Sequence, residues 1–163
     1  MKAWKCTRIP RRTIKSEGVS ADIEGSGPPR FPSSVARPTS FRMRILVVDD
    51  EVEPRQQLHE LLAGSGHSVV EAESGLRALD VLKREKIDLV ITDVVMPDLD
   101  GIGLVHRMKS EHSDVKAIVL SASDYSQDEV FLKMARLMGA SAAFRKSISA
   151  EKLLQVVEAF VRR

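Results

Sequence analysis

From Met43 onward the apolar residues follow two alternating rhythms: short unbroken runs of branched side chains, and longer stretches striped at spacings of three and four. The short runs have the length and composition of strands buried on both faces of a parallel sheet, and the stripes those of helices with one face on a core. The first strand is Arg44 to Glu51, ending in Asp49, Asp50 and Glu51, with Pro54 placed where a first-turn proline is tolerated. Leu58, Leu61 and Leu62 stripe a helix that Gly64-Ser65-Gly66 stops. His67 to Ala72 reads as a second strand, and Leu76, Leu79 and Leu82, with Ala78 and Val81 beside them, as the second helix.

Ile87 to Thr92 forms a third strand that ends at Asp93. Pro97 cannot donate to a ladder and biases Met96 away from helix, so the chain turns there; Asp100-Gly101 supplies turn chemistry and then a cap. The helix that follows runs from about Gly101 to Ser110, with Ile102, Leu104, Val105 and Met108 inward. Val115 to Leu120 is a fourth strand, followed by Ser121. A fourth helix from roughly Gln127 to Met138 is stopped by Gly139. Ser141 to Arg145 is a short fifth strand leading to Lys146, and Leu153, Val156, Val157, Phe160 and Val161 stripe a last helix, with Leu154 off the stripe and free for a docking face. Strict alternation of strand and helix predicts an α/β fold: a five-stranded parallel sheet, doubly wound by right-handed crossovers.

Residues 1–42 break both rhythms. Five prolines, several glycines and many serines leave too little apolar surface to offset ordering entropy, so the segment is expected to be a disordered basic tail or a start-site extension before Met43. The domain is expected to span residues 43–163, with no output or DNA-binding domain on the chain. Charge divides at the same place. The tail holds nine basic and three acidic residues, the domain sixteen and twenty, so a net charge of +2 hides a basic segment on an acidic domain. A single cysteine, Cys6, excludes an internal disulfide framework. With no apolar run near the roughly 18 residues of a membrane span, the expected location is cytoplasmic.

The candidate chemistry lies at strand ends. Asp49 and Asp50 end the first strand, Asp93 the third, Ser121 the fourth and Lys146 the fifth, so folding brings them to the edge where open α/β sheets bind ligands. Three carboxylates in one pocket repel each other and call for a cation, and hard oxygen ligands favour Mg²⁺. A lysine ammonium and a serine hydroxyl suit a phosphoryl anion. His67 and His106 lack partners at metal spacing and are expected at the surface, as is Asp98. Gly101-Ile102-Gly103 follows a loop, not a strand, and is not a dinucleotide fingerprint.

Asp49-Asp50, Asp93 with Met96-Pro97 and Asp100-Gly101 after it, Ser121-Ala122, and Lys146 after Gly139-Ala140 together resemble the receiver domain of two-component response regulators. The resemblance covers Met43 to Arg163. It implies a flavodoxin-like three-layer fold with strand order 2-1-3-4-5, and a phosphoacceptor signalling module in a phosphorelay rather than a turnover enzyme. Carried over by position, Asp93 would accept the phosphoryl group from a histidine kinase or a histidine phosphotransfer protein. Asp50 would bind Mg²⁺ directly, Asp49 through water, and Val95 through its backbone carbonyl. Lys146 and Ser121 would contact the phosphoryl oxygens. Phosphorylation would change a docking surface on helix four, strand five and helix five for an unidentified downstream protein, with homodimer formation left open.

Two positions depart from the family pattern. Ala143 stands where an aromatic switch residue is usual, and Phe144, one place later, points to the opposite face of its strand. Ser147 replaces the proline that usually follows the lysine, so the Lys146-Ser147 bond is either cis without a proline's help, at a cost of about 2.5–4 kcal/mol, or part of a rebuilt loop. The stretch Asp124 to Glu129 before helix four marks a further region of difference. The rival reading is a Mg²⁺-dependent phosphatase or phosphotransferase of similar build. It would need a general acid two residues after Asp93, where Val95 stands.

Overall fold

The computed structural model describes residues 42–122 and 128–161; the expectations for residues 1–41 and 123–127 lie outside the described residues. Within them the chain runs β1 (Arg44–Val48), α1 (Val52–Gly64), β2 (Ser68–Ala72), α2 (Gly75–Arg84), β3 (Leu89–Asp93), α3 (Gly101–Glu111), β4 (Lys116–Ser121), α4 (Asp128–Leu137), β5 (Ala142–Arg145) and α5 (Ala150–Val161). The strands form one parallel sheet in the order β2-β1-β3-β4-β5, as the resemblance implied. No described helix is long and apolar enough to cross a membrane.

Period-two alternation divides the core between the two faces of this sheet. Leu46, Val48, Val90, Val119 and Ala143 point to one face and pack with Ala78, Leu79 and Leu82 of α2, Leu104, Val105 and Met108 of α3, and Leu132 and Ala135 of α4. Ile45, Val47, Leu89, Ile91, Ile118 and Leu120 point to the other, against Leu58 and Leu62 of α1 and Leu153 and Val157 of α5. The three central strands are thus sealed on both sides, which is why they read as unbroken apolar runs.

Several elements end where side chains redirect the backbone. β1 stops at Val48, three residues before the expected end, because the Asp49 carboxylate accepts the Glu51 backbone N–H at 3.0 Å and folds the chain out of the ladder. α2 is capped by Ser74, whose side chain accepts from the Arg77 N–H, and α3 by Asp100, which accepts from the Gly103 N–H at 2.7 Å. Leu76, expected inward, is 47% exposed. Buried Gly75 sits against Leu99, so α2 presents Gly75, Ala78, Leu79 and Leu82 to the core and Leu76 falls on the shoulder. Leu154 is half-buried against the α1–α5 cluster and serves packing there. His67 is likewise half-buried: its Nδ1 accepts the Met43 backbone N–H at 3.4 Å, and burial lowers its pKa against a smaller opposing pull from Glu158.

The loop after β3 depends on one glycine. A Cβ on Gly101 would overlap the backbone carbonyl oxygen of Asp93, while its N–H donates to the Val94 carbonyl at 2.9 Å. Replacing Gly101 with alanine should therefore push α3 off the end of β3 and cost about 1–3 kcal/mol or more in denaturant titration. Gly64→Ala serves as the contrast. Nothing lies within 4 Å of a Cβ at that helical position, and the change should be stabilising by about 0.5–1 kcal/mol. Equal effects of the two substitutions would contradict this account of the loop.

Candidate functional site

Parallel strands deliver their C-terminal ends to one edge, and there Asp49, Asp93, Ser121 and Lys146 meet. β1 and β3 are adjacent, so Asp49 and Asp93 leave neighbouring strands side by side. β3 pairs Asp93 with Leu120, one residue before Ser121, and β4 pairs Ser121 with Arg145, one residue before Lys146. The Lys146 backbone N–H donates to the Ser121 carbonyl at 2.6 Å, continuing the ladder past the end of β5.

The Lys146 ammonium closes this edge. Its Nζ donates to Asp93 Oδ2 at 2.8 Å and to Asp49 Oδ2 at 2.9 Å, joining β5 to β3 and β1 across a sequence separation of up to 97 residues. Asp49, Asp93 and Ser121 are buried at 1%, 6% and 1% exposure, so these charges meet in a poorly solvated place. Asp93 Oδ1 also accepts the Val94 N–H at 2.7 Å, which fixes the plane of its carboxylate. Thr92 Oγ1 donates to the Asp93 carbonyl at 3.0 Å.

Burial pushes the Asp93 pKa above its ordinary value; the bond and charge of Lys146 offset part of this, and the Asp49 charge adds to it. Burial works the other way on Lys146, but the bonds and charges of Asp93 and Asp49 outweigh it and hold the ammonium more tightly protonated than usual. Asp50 is exposed beside this pair, and Asp49, Asp50 and Asp93 each bring a carboxylate oxygen within 4.8 Å of the others. With every group ionised, one ammonium against three carboxylates leaves an excess of two negative charges. That charge, an all-oxygen donor set and one solvent-open member together fit a small hard dication that keeps water ligands.

A family model for the response regulator receiver domain matches residues 45–158, a span that includes every one of these residues. The chain belongs to the response regulator receiver family.

Curated relatives of this receiver domain include the response regulator MprA of Mycobacterium avium, 37% identical over 122 residues, and that of Mycobacterium leprae, 36% identical over the same length. In both cases the match covers 74% of this chain and 52% of the relative, so the chain spans about half the length of the curated relatives it matches. Among solved structures, a response regulator receiver domain protein from Clostridium thermocellum is 29% identical with a TM-score of 0.68, covering 74% of this chain and 95% of that one. The receiver domain of NtrX from Brucella abortus is 28% identical with a TM-score of 0.67, covering 72% and 98%.

The remaining expected positions of the receiver fall as follows. Val95 is 53% exposed on the loop after Asp93. Ala143 is buried on the sheet face that carries α2, α3 and α4, and its carbonyl accepts from Arg136 Nη2 at 2.9 Å, whereas Phe144 packs on the α1–α5 side; the two take opposite faces as expected. No cis peptide occurs among the described residues, so Lys146-Ser147 is trans and the loop is the rebuilt alternative. Arg55, which is not among the expected positions, also reaches the site. Its Nη1 donates to the Asp49 carbonyl at 2.6 Å, a contact whose only sequence signal is a cation five residues after the acid pair.

The raised Asp93 pKa links the stability of the fold to pH. Because the folded state holds this proton more tightly than the unfolded chain, the stability that the proton confers is full below the ordinary pKa of 3.8 and is lost as pH rises through the folded pKa. Lys146, raised from 10.5, titrates far above that window. In metal-free buffer, denaturant titrations should show Asp93→Asn gaining stability relative to wild type as pH rises from about 3.5 to 7. A difference that stays constant over that interval would contradict the assigned shift.

Proposed function

We propose that this receiver domain accepts a phosphoryl group on Asp93, with Mg²⁺, from a histidine kinase or a histidine phosphotransfer protein, and signals by changing a docking surface. The observation that carries the reading is the Lys146 ammonium held between Asp49 and Asp93 at the ends of three strands. Asp50, Asp93 and the Val95 carbonyl would hold the cation directly and Asp49 through water. When bound, the cation supplies charge neutralisation for the phosphoryl oxygens.

In the transfer, a carboxylate oxygen of Asp93 attacks phosphorus in line. The P–N bond of a phosphohistidine breaks as the new P–O bond forms, and the imidazole leaves with the electron pair and takes up a proton. Little else is required of the protein, since phosphoryl transfer depends mainly on positioning and electrostatic stabilisation. The Val94 N–H orients the nucleophile. Lys146 is already within bonding distance of Asp93, and its charge follows the negative charge outward onto the phosphoryl group. The Ser121 hydroxyl, on adjacent β4, donates a hydrogen bond to the same group. The product adds roughly −1.5 to −2 charges to the pocket, by analogy with other phosphoresidues, and this is the switch input.

Ala143 carries no ring, so the readout does not use an aromatic side chain at that position; Phe144 and Ser147 complete the altered switch region. The rival phosphatase reading lacks its general acid, because Val95 is apolar.

Incubation with Mg²⁺ and acetyl phosphate or phosphoramidate should add one phosphoryl group by intact mass, with none added to Asp93→Asn. Sustained turnover of unrelated phosphoesters would favour the rival. Neither modification nor turnover by a folded wild-type protein would contradict both readings.

A further inference from the structure

The contacts behind the acid pocket assign a role to a residue outside it. We propose that Arg55, anchored by Glu71, is the positioning residue that sets the Asp49-Asp50 backbone and thereby the geometry of the cation site. The inference rests on the reading of that pocket as a Mg²⁺ site.

Arg55 lies in the first turn of α1, five residues after Asp50, and its side chain is only 13% exposed. Nη1 donates to the Asp49 carbonyl at 2.6 Å, and Nε donates to Glu71 Oε2 at 3.1 Å. The other Glu71 oxygen meets His59 Nδ1 at 2.6 Å, so the carboxylate that anchors Arg55 is itself held from α1. On its opposite side Asp49 donates its backbone N–H to the Ala72 carbonyl at 3.2 Å, next along β2 from Glu71. Both backbone polar groups of Asp49 are therefore tied: one to β2 directly, the other to β2 through Arg55.

The Asp49 carbonyl is part of the planar peptide that joins it to Asp50. Fixing that oxygen fixes the nitrogen and Cα of Asp50 in the same plane. Asp50 is exposed, so its carboxylate takes its place from the backbone that carries it. The neighbouring Asp49 carboxylate, aimed at Lys146, depends on the same peptide. A guanidinium can grip a carbonyl and a carboxylate at once through separate N–H groups, which a lysine ammonium on a flexible stem does not reproduce.

A positive charge beside a cation site opposes the cation. Removing it should tighten binding if Arg55 acts through charge alone, and should weaken binding if it acts through position. Mg²⁺ titration of the full chain by calorimetry, with thermal melts to confirm folding, separates the two. We expect Arg55→Met to bind Mg²⁺ about tenfold or more weakly, in the range seen when groups that orient metal ligands are removed. Arg55→Lys, which keeps the charge, should also bind more weakly and carries the test if the methionine variant does not fold. Wild-type or tighter binding by a folded Arg55→Met, or undiminished binding by Arg55→Lys, would each overturn the assignment. Failure of the wild type itself to bind Mg²⁺ would instead overturn the reading of the pocket.

Discussion

A single ammonium group holds the functional edge of this protein together. Lys146 bridges two buried carboxylates that would otherwise repel each other, and it does so from the far end of the fold, after four crossovers have been completed. Removing one partner from a buried ionic cluster leaves uncompensated charge, which is far more costly than the cluster is stabilising. The pocket is therefore poised rather than settled. Its three acids outnumber the Lys146 ammonium, and that imbalance is what a dication can relieve.

The surrounding backbone makes that arrangement reproducible. Pro97 to Leu99 closes a three-residue turn, in which the Leu99 N–H donates to the Pro97 carbonyl at 2.8 Å and Asp98 adopts φ 66°. A left-handed conformation at a non-glycine residue costs on the order of 1–3 kcal/mol, and here it drives Leu99 inward against Gly75 and leaves Asp100 to cap α3. Gly101 then lets α3 begin in contact with the Asp93 carbonyl. The same loop thus turns the chain, starts a helix and holds the acceptor strand end in place.

The strand and helix order was legible because each central strand is buried on both faces and each helix on one, so burial wrote itself into apolar spacing. The meeting of Asp49, Asp93 and Lys146 followed from the rule that parallel strands share an end. What the spacing could not show lay at boundaries and in side-chain geometry. The carboxylate of Asp49 ends β1 early, Gly75 rotates Leu76 out of the core, and Arg55 reaches back to a carbonyl. Each of these depends on a hydrogen bond or a close approach between residues whose types are unremarkable in the sequence. The trans geometry of Lys146-Ser147 was one of two open alternatives, since residue identity alone does not decide how a loop is rebuilt.

The central claim is that Asp93, and neither of its neighbouring acids, receives the phosphoryl group. Borohydride reduction of the protein after treatment with Mg²⁺ and a phosphodonor converts an aspartyl phosphate to homoserine, which peptide mass mapping then locates. The account predicts homoserine at position 93. Homoserine at position 49 or 50 instead, or at no position in a protein shown to be folded, would contradict it.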